Sequence, residues 1–247
     1  MEILILAAGN GSRMGDFTVD IPKTLIPING IPIIDYILKN LLFLDVQRII
    51  FVVGYQKDKL VSYISDNYLE EVQCDFVTND IISRENGYSL SCAEDFVTQD
   101  NFLVIMADHI VDTEIYRQVW EKMDHGDIIL ATNTLSNLND PEEATKVLLN
   151  GEQIIKIGKK LRRYSTYDIG VFGMSKSIFP ILEILCQNQH VVRLSDLVRK
   201  CIRKKLKVLS CDVSGNFWMD IDNKEDIILF LQQMLKDESD TGNDEVF

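Results

Sequence analysis

Five short apolar runs, each closed by polar or turn-forming residues, constrain this chain more than any other feature. Ile3–Ala7, Arg48–Val53, Val72–Val77, Phe102–Ala107 and Asp127–Asn133 have the length and β-branched content of buried strands. Amphipathic segments separate them: Ile33, Ile34, Ile37, Leu38, Leu41 and Leu42 recur at helical spacing, and residues 58–67 and 113–123 read as further helices. Strand–helix alternation predicts an α/β fold with a Rossmann-like, mostly parallel central sheet and helices on both faces. Ligands are then expected at the carboxyl ends of the strands.

The second half is less regular. Residues 146–149, 153–157 and 167–173 read as strands, the first two joined by an Asn150-Gly151 turn, which predicts a small antiparallel extension. Helices are expected over 178–186, 194–205 and 224–236, with a strand over 207–211. At 247 residues the chain is near the upper size for one core, so residues 1–236 are expected to form a single domain. Residues 237–247 are acidic and nearly free of apolar side chains, and read as a tail or a linker to a fused or partner domain.

The formal net charge of -13 argues against nucleic acid as a partner, because nonspecific binding to it rests on cations meeting phosphates. An anionic ligand would need a local basic pocket. The five cysteines form no CxxC pair, which suits free thiols in a reducing compartment and disfavours zinc. The first apolar run is short and follows Glu2, so it reads as a strand and not a signal peptide. No stretch approaches the roughly 20 apolar residues of a membrane span. No membrane insertion is expected, and the location expected is cytoplasmic.

LAAGNGSRMG, Leu6 to Gly15, follows the first strand directly. Glycines let backbone N–H groups approach phosphate oxygens. Gly9, Gly11 and Gly15 miss the dinucleotide fingerprint, since Met14 stands where its third glycine belongs. A nicotinamide-dependent oxidoreductase is disfavoured on that ground. No Walker lysine is present, and Gly15, Asp16 and Pro22 predict an extended loop in place of a helix. Arg13 and Lys23 put a guanidinium and an ammonium beside this turn in an otherwise acidic chain, which points to a triphosphate.

LAAGNGSRMG followed by IPKTLIPINGIPIIDY resembles the signature of the nucleotidyltransferase superfamily that contains the sugar-1-phosphate nucleotidylyltransferases and MobA-like proteins. The resemblance implies that Leu6, Ala7, Ala8, Gly9, Gly11, Ser12 and Arg13 hold the nucleotide. It implies that Lys23 stabilises the reacting phosphates, with Arg13 and Lys23 as the catalytic cations. It also divides the domain into a nucleotide-binding half, about 1–110, and an acceptor-binding half, about 111–236.

Asp108 ends the apolar run FLVIMAD, where a charge is costly unless it faces a site. Asp220 and Asp222 lie in FWMDIDN, and Asp222 also stands where the cap of the last helix is needed. The resemblance implies Asp108 and Asp220 as Mg²⁺ ligands, with Asp222 the lesser candidate. MADHI, ENGYSL, IGKKL, YDIGVF and WMDIDN resemble the inositol-1-phosphate and phosphonate cytidylyltransferases.

Recognition of cytosine needs an acceptor for its exocyclic amine, making Thr78, Asn79, Asn86, Gly87 and Ser89 candidates. Their plainer reading is a polar loop before a helix that Ser89 caps. Lys159 and Asp168 are the candidates for the acceptor. Tyr88, Tyr164, Tyr167 and Trp218 offer either an aromatic cage or core packing. The expected protein is a Mg²⁺-dependent cytidylyltransferase taking CTP and a small phosphate monoester or phosphonate, of the inositol 1-phosphate, 2-aminoethylphosphonate or phosphocholine type. A uridylyl- or thymidylyltransferase acting on a sugar 1-phosphate shares the fold. A non-catalytic nucleotide-binding regulatory protein is the alternative of another class, and Arg13, Lys23, Asp108 and Asp220 together count against it.

Overall fold

All six residues of the first strand, β1 (Glu2–Ala7), are buried, because helices cover both faces of the sheet to which it belongs. The computed structural model describes residues 1–134 and 143–241. Beyond β1, the remaining strands are β2 (Pro27–Ile28), β3 (Ile31–Pro32), β4 (Arg48–Val53), β5 (Gln73–Thr78), β6 (Asn101–Met106) and β7 (His109–Val111). They continue with β8 (Ile128–Asn133), β9 (Lys146–Asn150), β10 (Gln153–Gly158), β11 (Thr166–Ser175), β12 (Val208–Asp212) and β13 (Trp218–Asp220). The helices are α1 (Ile33–Leu42), α2 (Lys57–Tyr68), α3 (Glu85–Cys92), α4 (Thr113–Glu121), α5 (Phe179–Asn188), α6 (Leu194–Arg203) and α7 (Lys224–Thr241).

One sheet of nine strands runs in the order β5-β4-β1-β6-β11-β8-β12-β10-β9. β5, β4, β1 and β6 are parallel neighbours, as are β8 and β12, while β11 lies antiparallel between β6 and β8. The expected α/β architecture is therefore present, as a mixed sheet. β9 and β10 form the antiparallel extension foreseen from the Asn150-Gly151 turn.

Alternation along β1 sorts side chains between two apolar layers. Ile3, Ile5 and Ala7 share one layer with Ile33 and Ile37 of α1, Leu60 of α2, Ile115 of α4 and Phe230 of α7. Leu4 and Leu6 belong to the other layer, with Leu90 of α3, Leu182 of α5 and Leu197 of α6. Each Ile, Leu or Phe among them contributes about 1.5–3 kcal/mol on full burial. Among the described residues, no helix is long and apolar enough to cross a membrane. All five cysteines are free thiols.

Register places the site. Ala7 aligns with Val53, Val53 with Thr78, and Leu6 with Met106, so the loops leaving β1, β4, β5 and β6 share one edge. Near the start of antiparallel β11, Asp168 pairs with Thr132, one residue before the end of β8, which brings it to the same edge.

Three expectations need correction. Residues Ser12–Thr18 form a 3-10 segment broken at Gly15, and Lys23–Leu25 form another, so the phosphate segment is coiled and not extended. Asn86, Gly87 and Ser89 lie within α3, so they are not a polar loop and Ser89 is not a cap. Finally, α7 continues to Thr241, so the acidic stretch begins as helix; residues 242–247 lie outside the described part.

Candidate active site

The loop after β1 is anchored by the residue that breaks the dinucleotide fingerprint. Met14 is fully buried, and its N–H donates to the Gly11 carbonyl at 2.9 Å. Thr18 Oγ1 donates to the carbonyls of Gly11 and Gly15, both at 3.2 Å. Gly11 has φ +59°, and a Cβ there would lie 2.8 Å from Lys23 Cβ. The loop thus rests on the stem of Lys23, and only glycine fits that approach. Leu6, Ala7 and Ala8 are buried beneath it, whereas Gly9, Ser12 and Arg13 are exposed.

Two distant segments bring the carboxylates to Lys23. β6 delivers Asp108 and then His109, which begins β7. β13 pairs antiparallel with β7, with Asp220 opposite His109, and Ile221 N–H donates to the Asp108 carbonyl at 2.9 Å. This short ribbon fixes Asp108 beside Asp220. Lys23 Nζ donates to Asp108 Oδ2 and to Asp222 Oδ1, each at 2.7 Å, and Arg13 Nη1 lies 2.6 Å from Asp222 Oδ2. Asp222 therefore does not cap α7. Asn223 does: its Oδ1 accepts from Asp226 N–H at 3.0 Å, while Asp226 Oδ2 accepts from the N–H groups of Asn223 and Asp222. Two cations claim the Asp222 side chain and leave the cap to its neighbour.

His109 Nδ1 lies 2.8 Å from Asp108 Oδ1 and 3.7 Å from Asp220 Oδ1. Its ring lies against Gly170 (φ +76°), where a Cβ would come within 2.6 Å of Cδ2. β11 breaks register with β8 between Asp168 and Phe172, and this irregularity makes the room. Gly170 is not among the candidate residues that the motifs of the sequence point to; its signal there is a glycine interrupting the strand pattern of YDIGVF.

Charge crowding governs the titration of the cluster. Burial opposes the Lys23 ammonium, but Asp108, Asp222 and Asp220 outweigh it and hold its pKa above the usual lysine value. Burial would raise Asp108, yet the Lys23 charge and the His109 hydrogen bond pull it well below the carboxylate range. Burial pushes Asp220 up to about 7, with Asp108 and Asp222 reinforcing it against His109. Burial lowers His109, but Asp220 and Asp108 prevail and lift it to about 9.

Asp108, His109 and Asp220 place one donor atom each within 4.8 Å of one another. Asp220 Oδ1 is buried without a hydrogen-bond partner. An orphaned carboxylate oxygen in a cluster of acids fits a hard divalent cation, which takes oxygen ligands. This group of residues can bind a metal.

The remaining candidates have other partners. Asn79 is buried, its Nδ2 donating to Ser89 Oγ at 2.9 Å and its Oδ1 accepting from Ile81 N–H at 2.8 Å. Thr78 is half-buried at the end of β5. Asn86 Oδ1 accepts from Leu194 N–H at 2.9 Å, and Gly87 N–H donates to the Val192 carbonyl at 2.9 Å, so both tie α3 to the start of α6. Asp168 Oδ1 accepts from Gly170 N–H at 2.8 Å, and burial lifts its pKa to about 6. Lys159 is exposed and pairs with Glu143 at 2.9 Å; among the described residues, no ion pair joins it to the Lys23 cluster. Of the four cage aromatics, only Tyr164 and Tyr167 form a ring pair among the described residues, and Tyr88 lies under the Arg84 guanidinium at 3.9 Å.

A mixed α/β sheet with a glycine-rich loop, a buried lysine and converging carboxylates at one strand edge defines a nucleotidyltransferase domain. The chain belongs to the MobA-like NTP transferase domain family, whose pattern matches residues 3–202. It is 31% identical over 225 residues to a bifunctional IPC transferase and DIPP synthase of Aquifex aeolicus, across 91% of this chain and 49% of that one. It is 34% identical over 230 residues to the protein of the same description from Archaeoglobus fulgidus, across 92% of this chain and 42% of that one. The chain thus spans about half the length of these curated relatives. The inositol-1-phosphate CTP transferase of T. maritima superposes with a TM-score of 0.84 at 28% identity, across 91% of this chain and 90% of that one. An apo UDP-glucose pyrophosphorylase, at 19% identity, 96% and 100% coverage and TM-score 0.82, shares the fold.

Proposed function

We propose that this domain is a Mg²⁺-dependent cytidylyltransferase that transfers CMP from CTP to a small phosphate monoester or phosphonate and releases pyrophosphate. The observation that carries this reading is the meeting of Lys23, Asp108, Asp220 and Asp222 beneath the loop that holds Gly11 and Arg13. An acceptor oxygen attacks the α-phosphorus, and the bond to the pyrophosphate oxygen breaks in line. The second pKa of a phosphate monoester is about 6, so that acceptor is already ionised near neutrality and no general base is assigned.

Asp108 and Asp220 would hold Mg²⁺, which supplies charge neutralisation and orientation of the phosphates. The loop from Leu6 to Ser12, with Arg13, cradles the triphosphate, and Lys23 meets charge that reorganises during transfer. Thr78, Asn79, Asn86, Gly87 and Ser89 build the wall for the base. Asn79 and Asn86 act there chiefly by shaping it, since both side chains already serve the backbone of other segments. Asp168, which shares the strand edge with Asp108, lines the acceptor side, and Lys159 is the cation assigned to the acceptor phosphate. The resemblance of MADHI and ENGYSL to cytidylyltransferases, together with the similarity to the inositol-1-phosphate CTP transferase of T. maritima, supports CTP and an inositol 1-phosphate type of acceptor. The greater length of the relatives supports a fused or separate partner domain.

The test is pyrophosphate release from CTP, UTP, ATP, GTP and dTTP with inositol 1-phosphate, phosphocholine and 2-aminoethylphosphonate. CTP is expected to lead. Equal or faster turnover with UTP or dTTP removes the cytidylyl assignment, and no release with any pair favours a regulatory nucleotide binder.

A further inference from the structure

Both oxygens of Asp108 are engaged within the protein. Oδ1 meets His109 Nδ1 at 2.8 Å, and Oδ2 accepts from Lys23 Nζ at 2.7 Å. Each oxygen keeps a further lone pair, but a divalent cation bound there would lie beside the Lys23 ammonium and the His109 ring, and one of these partners is then the one to give way. His109 is the harder to move, since it is the next residue in the chain and its ring is seated against Gly170. Lys23 has four rotatable methylenes and a compact ammonium. Charge points the same way. Asp108, Asp220 and Asp222 already face Lys23, Arg13 and His109, so two added positive charges beside a retained ammonium place like charges in contact.

We infer that the Lys23 ammonium and the divalent cation compete for Asp108, so that loading the metal releases Lys23 from the carboxylates toward the phosphate loop. The inference rests on the metal reading above and adds an exchange to it. Gly11 makes the release productive, because the loop backbone lies against Cβ and Cγ of Lys23, which leaves the loop within reach of a freed ammonium on the same side chain. Asp222 is the second anchor, holding Lys23 on one oxygen and Arg13 on the other. The two cations assigned to the triphosphate are thus both held by carboxylates that belong to the metal cluster or adjoin it. Metal and nucleotide should consequently bind with positive coupling, and by linkage each should raise the affinity of the other equally.

The test is Mn²⁺ binding to the protein without nucleotide, followed by the paramagnetic resonance of free Mn²⁺. Lys23→Met should bind Mn²⁺ more tightly than wild type by about tenfold or more, because the competing cation is gone. Lys23→Gln, which keeps a polar end without the charge, should do the same, whereas Lys23→Arg should stay near wild type. Without metal, Lys23→Met should melt below wild type, and Mn²⁺ should restore it. Folding of that variant only in the presence of Mn²⁺ also supports the exchange, since the metal then replaces the ammonium. Equal or weaker Mn²⁺ binding by both Lys23→Met and Lys23→Gln overturns it. Asp220→Asn separates the two failures. If it abolishes Mn²⁺ binding while the Lys23 variants bind no more tightly, the exchange alone is wrong. If Mn²⁺ binding ignores Asp220, the metal reading falls as well.

Discussion

Lys23 donates to Asp222 at 2.7 Å across 199 positions of sequence. The segment before the last helix thus closes the site that the first loop opens. The resemblance makes Asp222 the lesser metal candidate of the two acids in FWMDIDN, and the fold makes it the one that binds both Lys23 and Arg13. Lys23 and Asp222 are both largely shielded, so desolvation offsets part of what their pairing gains, whereas Arg13 is exposed and its pair with Asp222 is screened by solvent.

If Asp108 and Asp220 share a metal, changing either to Asn removes a charged ligand while keeping its size. Turnover should fall by on the order of a hundredfold or more in each variant, with partial recovery at raised Mg²⁺ or with Mn²⁺, which also prefers oxygen ligands. Steady-state kinetics over a metal titration decides it. An Asp220→Asn variant with wild-type kcat and metal dependence would remove Asp220 from the assignment.

The cap of α7 makes a prediction about stability alone. Asn223→Ala should cost about 1 kcal/mol, as loss of a capping side chain does. Asp226→Ala should cost more, about 2–3 kcal/mol, because Asp226 is buried and its loss strands the N–H groups of Asp222 and Asn223. Asp222→Asn should leave the cap intact and act through Lys23 and Arg13. Urea unfolding of the three variants gives the order; Asp222→Asn matching Asn223→Ala in stability with unaltered turnover would contradict it.

Gly170→Ala should be among the most damaging single-methyl additions in the chain. Its φ of +76° disfavours any Cβ, and the new atom would lie 2.6 Å from the His109 ring. Backbone strain and overpacking together predict a loss of about 2–4 kcal/mol. The same change should weaken Mn²⁺ binding, since His109 positions Asp108. Unchanged melting and Mn²⁺ affinity would show that the ring has room to move.

Asp168 predicts a pH dependence. Burial raises its pKa from 3.8 to about 6 in the folded protein, so the folded state holds the proton more tightly. Its contribution to stability is therefore fully present below about 3.8 and is lost as pH rises to about 6. Asp168→Asn keeps an oxygen for Gly170 N–H and carries no charge, so its stability advantage over wild type should grow across that window and level off above it. Melting curves for both proteins from pH 4 to pH 8 test this, and parallel curves would deny the shift.

Local pattern determined the alternating strands and helices, the glycine-rich loop after β1, and Arg13, Lys23 and Asp108 as groups worth following, whereas only the resemblance to a known family set Asp220 ahead of Asp222. Periodicity and turn chemistry act over a few residues, which is why they are legible in the chain. Tertiary structure decided the rest. The pairing of β13 with β7 sets Asp220 opposite His109, and three-residue strands carry no local signal for their partner. Asp222 and Asn223 were equivalent as caps by residue type, and the choice fell to Asn223 because distant cations claimed Asp222. Asn86, Gly87 and Ser89 read as the end of a polar loop because Asn, Gly and Ser disfavour helix interiors. α3 forms there because the Gly87 and Tyr88 N–H groups find the Val192 carbonyl and Asn86 secures Leu194. Lys159 and Glu143 form an ion pair that hydrophobic pattern does not encode. Long-range hydrogen bonds and charge pairs are set by where the sheet brings loops together, and that information belongs to the fold as a whole.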